Sequence, residues 1–184
     1  RYKGLFIHTF YYNDPKSAKF GQEIPKNLYG TSAGYMEKLH PMSKKHFDQW
    51  TNADQPDRTT SFRDLIVYRL AETYLMCAEA YFHRDGGSSP KAIEYYNETW
   101  ERAGNDHEDG PLTLDMLLDE YARELCGEFT RWALLKRHKA FETRLPKYNP
   151  RAAVNFSQKN YLRPISYTFL NQIENSAEYG TNGY

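Results

Sequence analysis

The 184-residue chain has no net charge, because 24 Lys and Arg balance 24 Asp and Glu. A neutral chain carries no electrostatic footprint for nucleic acid or for an anionic membrane surface, so neither is an expected partner. β-Branched aliphatic residues are scarce, with two Val and six Ile against 16 Leu, which favours helices over sheets. No apolar run approaches the roughly 18 residues of a membrane span, so no transmembrane segment is predicted.

Cysteine is also scarce. Cys77 and Cys126 allow one disulfide at most, and they form no metal-spaced set with the six His. We therefore expect two small buried thiols, no metal site and no cofactor. The sequence also contains no glycine-rich phosphate loop, serine-nucleophile elbow or zinc-protease motif, so no motif predicts an enzyme.

Aromatic residues are abundant, with 16 Tyr, 10 Phe and 3 Trp. Eleven of them lie in residues 1–62, where four Pro and the absence of a sustained period predict a loop-rich segment with a short strand or extended arm over residues 5–12. Rings outside helices can stack on the apolar face of a sugar while neighbouring polar groups bind its hydroxyls. The candidate ligand-binding residues are Trp50, Tyr35, Tyr11, Tyr12 and Asn52. The alternative is that these rings form the core of an irregular region.

From residue 62 onward, apolar residues recur every three or four positions and predict helices. A first helix carries Leu65, Tyr68, Ala71, Leu75, Ala78 and Phe82, and Asp85-Gly86-Gly87 ends it. Ser89-Pro90 then begins a second helix that Gly104 ends. The two predict an antiparallel pair close in size to a tetratricopeptide unit, which cannot bury its apolar face alone. The aromatic residues expected in the helical core are Tyr68, Tyr96, Trp100, Tyr121 and Trp132.

Thr113 predicts the start of a third helix, and a fourth helical piece follows over residues 129–137. After Pro146 the chain is predicted to be irregular, apart from a short helix over residues 167–175.

Three acidic residues stand four apart and are predicted to lie on one helix face: Glu120, Glu124 and Glu128. Carboxylates in such an arrangement could act as acid and base on a glycoside. Like charges at this spacing repel, however, so they need nearby cations, and the structural interpretation is a salt-bridge network. The residues predicted for that network are Glu120, Arg123, Glu124, Glu128, Arg131 and Trp132, with Arg137 nearby. Arg131 could lie on the Trp132 ring or bind a carboxylate.

Several motifs occur in the order found in one protein family. Residues 69–80 resemble the Arg-x-Ala-[Asp/Glu]-x-x-Leu-Met-x-Ala-Glu-Ala helix of SusD/RagB proteins, and Arg102-Ala103-Gly104 resembles the end of that family's next helix. Residues 120–137 resemble its Glu-x-x-Arg-Glu…Glu-x-x-Arg-Trp-x-x-Leu-x-Arg signature. Residues 161–165 resemble its Tyr-Leu-x-Pro-Ile motif, and residues 182–184 resemble its C-terminal Asn-Pro-Gly-Tyr motif. The sequence departs from the family pattern at Phe129, where Gly is frequent, and similarly at Tyr121, Leu134 and Ser166.

The resemblance implies a mainly α, tetratricopeptide-like fold with long irregular loops. It also implies a surface lipoprotein of the outer membrane in the Bacteroides group, without catalytic activity, that binds a glycan or a peptide for a SusC-like TonB-dependent transporter. Its only membrane association would be a lipid anchor. Since family chains are longer, this sequence resembles their C-terminal portion, without the signal peptide, the lipidated Cys and the first helical repeats.

We accordingly expect two regions: a loop-rich segment, residues 1–62, that contributes to the ligand face, and a helical region, residues 63–184. The helix pair over residues 64–103 should expose an apolar face, and the chain should self-associate or be poorly soluble. Two alternatives stay open: a tetratricopeptide-like protein-interaction scaffold with no small ligand, and a glycoside hydrolase that uses the three glutamates.

Overall fold

The computed structural model describes residues 1–31, 39–46 and 64–184. Most of the regular structure in these residues is helical, which confirms the prediction of a mainly α fold. The helices are α1 (Tyr2–Leu5), α2 (Leu70–Asp85), α3 (Pro90–Trp100), α4 (Leu114–Glu124), α5 (Arg131–Arg137), α6 (Phe141–Tyr148), α7 (Pro150–Val154), α8 (Tyr167–Leu170) and α9 (Ser176–Tyr179). None of these helices combines the length and the apolar character that crossing a membrane requires.

The described residues form two compact units, Arg1–Glu128 and Phe129–Tyr184. In the first unit, β1 (Phe6–Ile7) pairs antiparallel with β2 (Met42–Ser43), with Phe6 opposite Ser43. Only this short part of the arm predicted over residues 5–12 is a strand, and α1 precedes it.

Residues 10–24 fold back on themselves. The amide of Tyr12 donates to the Gln22 carbonyl, the amide of Gly21 donates to the Tyr12 carbonyl, and Tyr11 pairs with Glu23 in an isolated antiparallel bridge. We call residues 10–24 the N-terminal hairpin. Its backbone hydrogen bonds hold the segment in a defined conformation.

Helices α2 and α3 are joined by four residues and pack against each other. The core of the first unit contains Ala78, Ala92, Tyr96, Leu112 and Leu117. Small residues at positions 78 and 92 let the two helix backbones approach, and Tyr96 fills the adjacent space with 1 % of its surface exposed. Tyr96 and Tyr121 are buried, as the sequence predicts, and Trp100 and Trp132 are half-buried.

The boundaries of these helices follow from local chemistry. The Ser89 hydroxyl accepts from the Ala92 amide and the Thr113 hydroxyl accepts from the Met116 amide, so both predicted N-caps are confirmed. Gly104 follows α3 and a single 3₁₀ turn with φ +82°, a left-handed conformation that glycine adopts at little cost.

The predicted start of the first long helix is wrong. α2 begins at Leu70, because Arg69 has an extended backbone (φ −145°, ψ 159°) and the residues before it are in neither helix nor strand. Leu65 and Tyr68 therefore do not belong to the core, and their surfaces are 64 % and 80 % exposed. The apolar period continues through residues 65–68, but the β-branched Ile66 and Val67 are poor helix formers.

In the second unit, the prediction of an irregular chain after Pro146 is wrong. α6 continues through Pro146 to Tyr148, and α7 follows after Asn149, so the chain is helical where an irregular segment was predicted. The Asn149 side chain accepts from the Ala152 amide and caps α7. Phe141, Phe156 and Tyr161 form an aromatic cluster, with ring centroids between 5.0 and 5.6 Å apart.

Phe129 has a left-handed backbone with φ +64°, and 83 % of its surface is exposed. A side chain in this conformation costs about 1 kcal/mol relative to glycine. We therefore expect Phe129→Gly to raise the free energy of unfolding by about 0.5–1 kcal/mol, measured by urea denaturation. Phe20→Gly is the matched control, since that phenylalanine is also exposed but has no positive φ. Equal destabilisation by both substitutions would contradict the prediction.

Candidate functional site

The three glutamates predicted as a network lie at the C-terminal end of α4 and in the turn after it. Glu120 and Glu124 are buried residues of α4, whereas Glu128 lies beyond the end of the helix, after Gly127 with φ +80°. The expectation that all three share one helix face is therefore wrong for Glu128. Their side chains are 0 %, 3 % and 11 % exposed, so each of them requires a compensating partner.

Glu124 receives cations from three separate parts of the first unit. Arg69 Nη1 donates to Glu124 Oε1 at 2.7 Å, Arg102 Nη2 donates to the same oxygen, and Arg1 Nε lies 3.3 Å from Oε2. Arg69 Nη2 also donates to the Glu124 carbonyl at 2.6 Å. One carboxylate thus joins the residue before α2, the turn after α3 and the start of the chain.

The other two carboxylates are paired in the same way. Both oxygens of Glu120 accept from the Arg1 guanidinium, and Arg123 Nε lies 3.2 Å from Glu120 Oε2. Glu128 accepts from Arg69 Nε with 2.9 Å to each of its oxygens, and it pairs with Lys45. We call these eight residues the ion-pair cluster: Arg1, Lys45, Arg69, Arg102, Glu120, Arg123, Glu124 and Glu128.

Hydrogen bonds within the cluster favour the charged forms of Glu128 and Arg69. Burial alone would raise the pKa of Glu128, but hydrogen bonds from Arg69 and Lys45 outweigh it and lower that pKa below its ordinary value. Burial alone would lower the pKa of Arg69, yet its bonds to Glu128 and Glu124 raise it. A general acid needs a raised carboxyl pKa, and Glu128 has the opposite shift. The pairing of all three glutamates with cations therefore argues against the hydrolase alternative.

Of the arginines near the glutamates in the sequence, Arg123 belongs to the cluster. Arg123 contacts Glu120 and lies over the Trp100 ring, 5.1 Å from its centroid. Arg131 begins α5 in the second unit, where Lys136 and Arg163 lie over the Trp132 ring at 5.0 and 4.6 Å. Sequence reasoning missed Arg69 and Arg102 as partners of Glu124, although both lie in the motifs that carry the family resemblance.

The aromatic candidates for ligand binding divide into two groups. Trp50, Tyr35 and Asn52 lie outside the described residues. Tyr11 and Tyr12 lie on the N-terminal hairpin, where Tyr11 is 58 % exposed and Tyr12 is half-buried, with Lys19 Nζ 5.4 Å from its ring centroid. The hairpin also exposes Phe20, which the sequence did not single out.

Described residues of the first unit line at least two pockets. One, of about 700 Å³, adjoins the ion-pair cluster and combines apolar Leu65 and Ile66 with Lys45, His46, Asp64, Arg69 and Glu128. The other, of about 710 Å³, lies along α3 and the loop after it, with Glu94, Glu98, Glu101, Asp109 and His107 in its lining. The hydrogen bond to Glu101 raises the pKa of His107 above its ordinary value. Cys77 and Cys126 are free thiols, and both are half-buried.

Comparisons with known proteins give one positive result. A family model described as the SusD family matches residues 8–176, which is most of the chain. No curated protein and no solved structure matched the chain.

Proposed function

Because the chain belongs to the SusD family, we propose that it binds a nutrient, most favourably an oligosaccharide, at the surface of the outer membrane. The bound ligand would then pass to a TonB-dependent SusC-like transporter. The family match over residues 8–176 carries this proposal, since family members bind nutrients, glycans among them, and work with SusC-like transporters. Family members are generally not catalytic, so the proposed role is binding without turnover.

The N-terminal hairpin offers the described part of a ligand face. Tyr11 and Phe20 are large exposed rings on a segment whose backbone is held by its own hydrogen bonds. A ring held in place can stack on the apolar face of a sugar at little entropic cost. In the proposed arrangement, Tyr11 and Tyr12 act with Trp50, Tyr35 and Asn52, while α2–α4 and the ion-pair cluster support the loops.

Tyr11→Ala tests this assignment. A glycan array first identifies the ligand, and isothermal titration then measures its affinity. Loss of a stacking ring worth about 1 kcal/mol should weaken binding roughly fivefold or more. Trp50→Ala and Tyr35→Ala should act in the same direction, with unchanged circular dichroism spectra in each case.

Tyr167→Ala is the control, because Tyr167 is also an exposed tyrosine but lies on α8 in the second unit. Its affinity should equal that of the wild-type protein. Unchanged affinity in the Tyr11, Trp50 and Tyr35 variants together would exclude the proposed ligand face. A flat glycan array together with specific binding of a protein partner would instead favour the scaffold alternative, which the exposed apolar residues 65–68 also favour.

A further inference from the structure

Charge is divided unevenly between the two units, although the whole chain is neutral. Residues 1–128 contain 15 Lys and Arg against 21 Asp and Glu, whereas residues 129–184 contain nine Lys and Arg against three Asp and Glu, a net charge of +6. All nine of these cations lie in residues 131–163, where Glu142 is the only acidic residue. The second unit therefore attracts anions, which the net charge of the whole chain conceals.

The single carboxylate among these cations is bound by neutral groups. Glu142 Oε2 accepts from the Tyr161 hydroxyl at 2.7 Å, and Glu142 Oε1 accepts from Gln158 Nε2. The hydrogen bond from Tyr161 contributes most to lowering the pKa of Glu142 below its ordinary value, and the charge of Lys139 contributes least. Glu142 therefore leaves most of the positive charge of the second unit without compensation from within that unit.

Three of the cations lie over aromatic rings. Lys136 Nζ lies 5.0 Å and Arg163 Cζ lies 4.6 Å from the centroid of the Trp132 ring, so the two charges are separated by no more than the sum of these distances. Lys159 Nζ lies 4.6 Å from the centroid of the Tyr184 ring. Among the described residues, no carboxylate forms an ion pair with any of these three cations. We call Lys136, Lys159 and Arg163 the basic patch.

The residues around the basic patch hold its geometry. The Tyr184 hydroxyl donates at 3.1 Å to the carbonyl of the residue before Arg163, and Asn182 Nδ2 donates to the Arg163 carbonyl at 2.9 Å. Lys159 and Arg163 are exposed, and Lys136 is half-buried. Because the rings already position these cations, they lose little side-chain entropy when an anion binds, and a guanidinium can bind a carboxylate with two parallel hydrogen bonds.

We propose that the basic patch binds the acidic groups of a negatively charged polysaccharide. Uronic acid carboxylates and sulfate esters share the required chemistry, since both place anionic oxygens at intervals along a sugar chain. The choice of a saccharide rests on the proposed function, because a protein that captures glycans meets such polymers. A nucleic acid fits less well: Trp132 is half-buried and already contacts two cations, so it offers little ring surface on which a base can stack.

Isothermal titration of the 184-residue chain with dextran sulfate, polygalacturonate and uncharged dextran tests the proposal. At least one charged polymer should bind, and the uncharged polymer should not; the polymer that binds more tightly identifies sulfate or carboxylate as the preferred group. The affinity should fall as salt concentration rises. A variant with all three cations of the patch replaced by Gln should bind at least roughly tenfold more weakly, and the slope of its affinity against salt concentration on logarithmic axes should be smaller by about 2.

Two control variants separate the patch from total charge and from folding. The first makes the same change in charge at three exposed lysines of the first unit outside the N-terminal hairpin, and it should bind like the wild type: Lys3→Gln, Lys26→Gln and Lys44→Gln. The second keeps the charges of the patch and should also bind like the wild type: Lys136→Arg, Lys159→Arg and Arg163→Lys. Circular dichroism spectra should be unchanged in every variant.

Four results would overturn the proposal. They are the absence of binding to both charged polymers, equal weakening by the two Gln variants, and tighter binding of double-stranded DNA or of phosphatidylglycerol vesicles than of either charged polymer. The proposed function fails or stands separately, because a glycan whose affinity falls in Tyr11→Ala and is unchanged in the Gln variant of the patch would support the ligand face and exclude only the basic patch.

Discussion

Glu124→Gln is expected to reduce the free energy of unfolding by about 3 kcal/mol or more. The substitution keeps the shape of the side chain but removes the charge that Arg69, Arg102 and Arg1 share. Breaking a buried ion pair from one side leaves the other charge without compensation, which typically costs about 3–5 kcal/mol. Arg102 is more than half exposed and loses little, so most of the cost comes from Arg69 and Arg1.

Urea denaturation followed by circular dichroism measures this loss. Glu94→Gln provides the control, because Glu94 is half exposed and pairs with Lys91 one turn earlier on the same helix. That surface pair should contribute nothing measurable. If Glu124→Gln were as stable as Glu94→Gln, the cluster would not hold the first unit together, and its carboxylates would have to be considered again for a ligand or a reaction.

Gly87→Ala is expected to have a comparable effect for a steric reason. A Cβ atom at position 87 would lie 2.1 Å from the Leu112 carbonyl oxygen and 3.1 Å from its carbonyl carbon. These are backbone atoms of a buried residue, and the Leu112 amide also donates to the Gly87 carbonyl at 2.8 Å. The α2–α3 connection must therefore move away from the core, at a cost of about 3 kcal/mol.

Thermal denaturation of Gly87→Ala and Gly4→Ala makes the comparison. Gly4 lies in α1 with no heavy atom within 4 Å of its added Cβ, so its substitution should leave stability unchanged or slightly raised. A Gly87→Ala protein that unfolds at the wild-type temperature would show that the close approach of residues 87 and 112 is not required.

Predictions from the sequence succeeded where the determining interactions are local. The caps at Ser89 and Thr113 depend on a hydroxyl within three residues of the amide it accepts from, and the end of the helix pair at Gly104 depends on one backbone conformation. The predicted stop at Gly86-Gly87 is also confirmed, since α2 ends at Asp85. The close approach of position 87 to the Leu112 backbone was not predictable, because this contact joins positions 25 residues apart.

Contacts between distant parts of the chain also decide the partners in the ion-pair cluster. The spacing of Glu120, Glu124 and Glu128 indicated that cations must compensate them. The arginines nearest in the sequence were natural candidates, yet Glu124 pairs with Arg69, Arg102 and Arg1 from distant parts of the chain. The sequence indicates that the glutamates need compensating cations, whereas packing decides which cations they meet.

The helix predicted through residues 65–68 is wrong for a related reason. Periodicity predicts which face of a helix would be apolar, but it does not show that a helix forms. Arg69 has an extended backbone and binds Glu124 and Glu128, and the apolar residues before it lie exposed. The sequence by itself determined the mainly α class, the helix caps and the family, since these depend on composition, neighbouring residues and ordered motifs. Only the tertiary structure decided which cations meet the glutamates and where α2 begins, because both depend on groups that folding brings together.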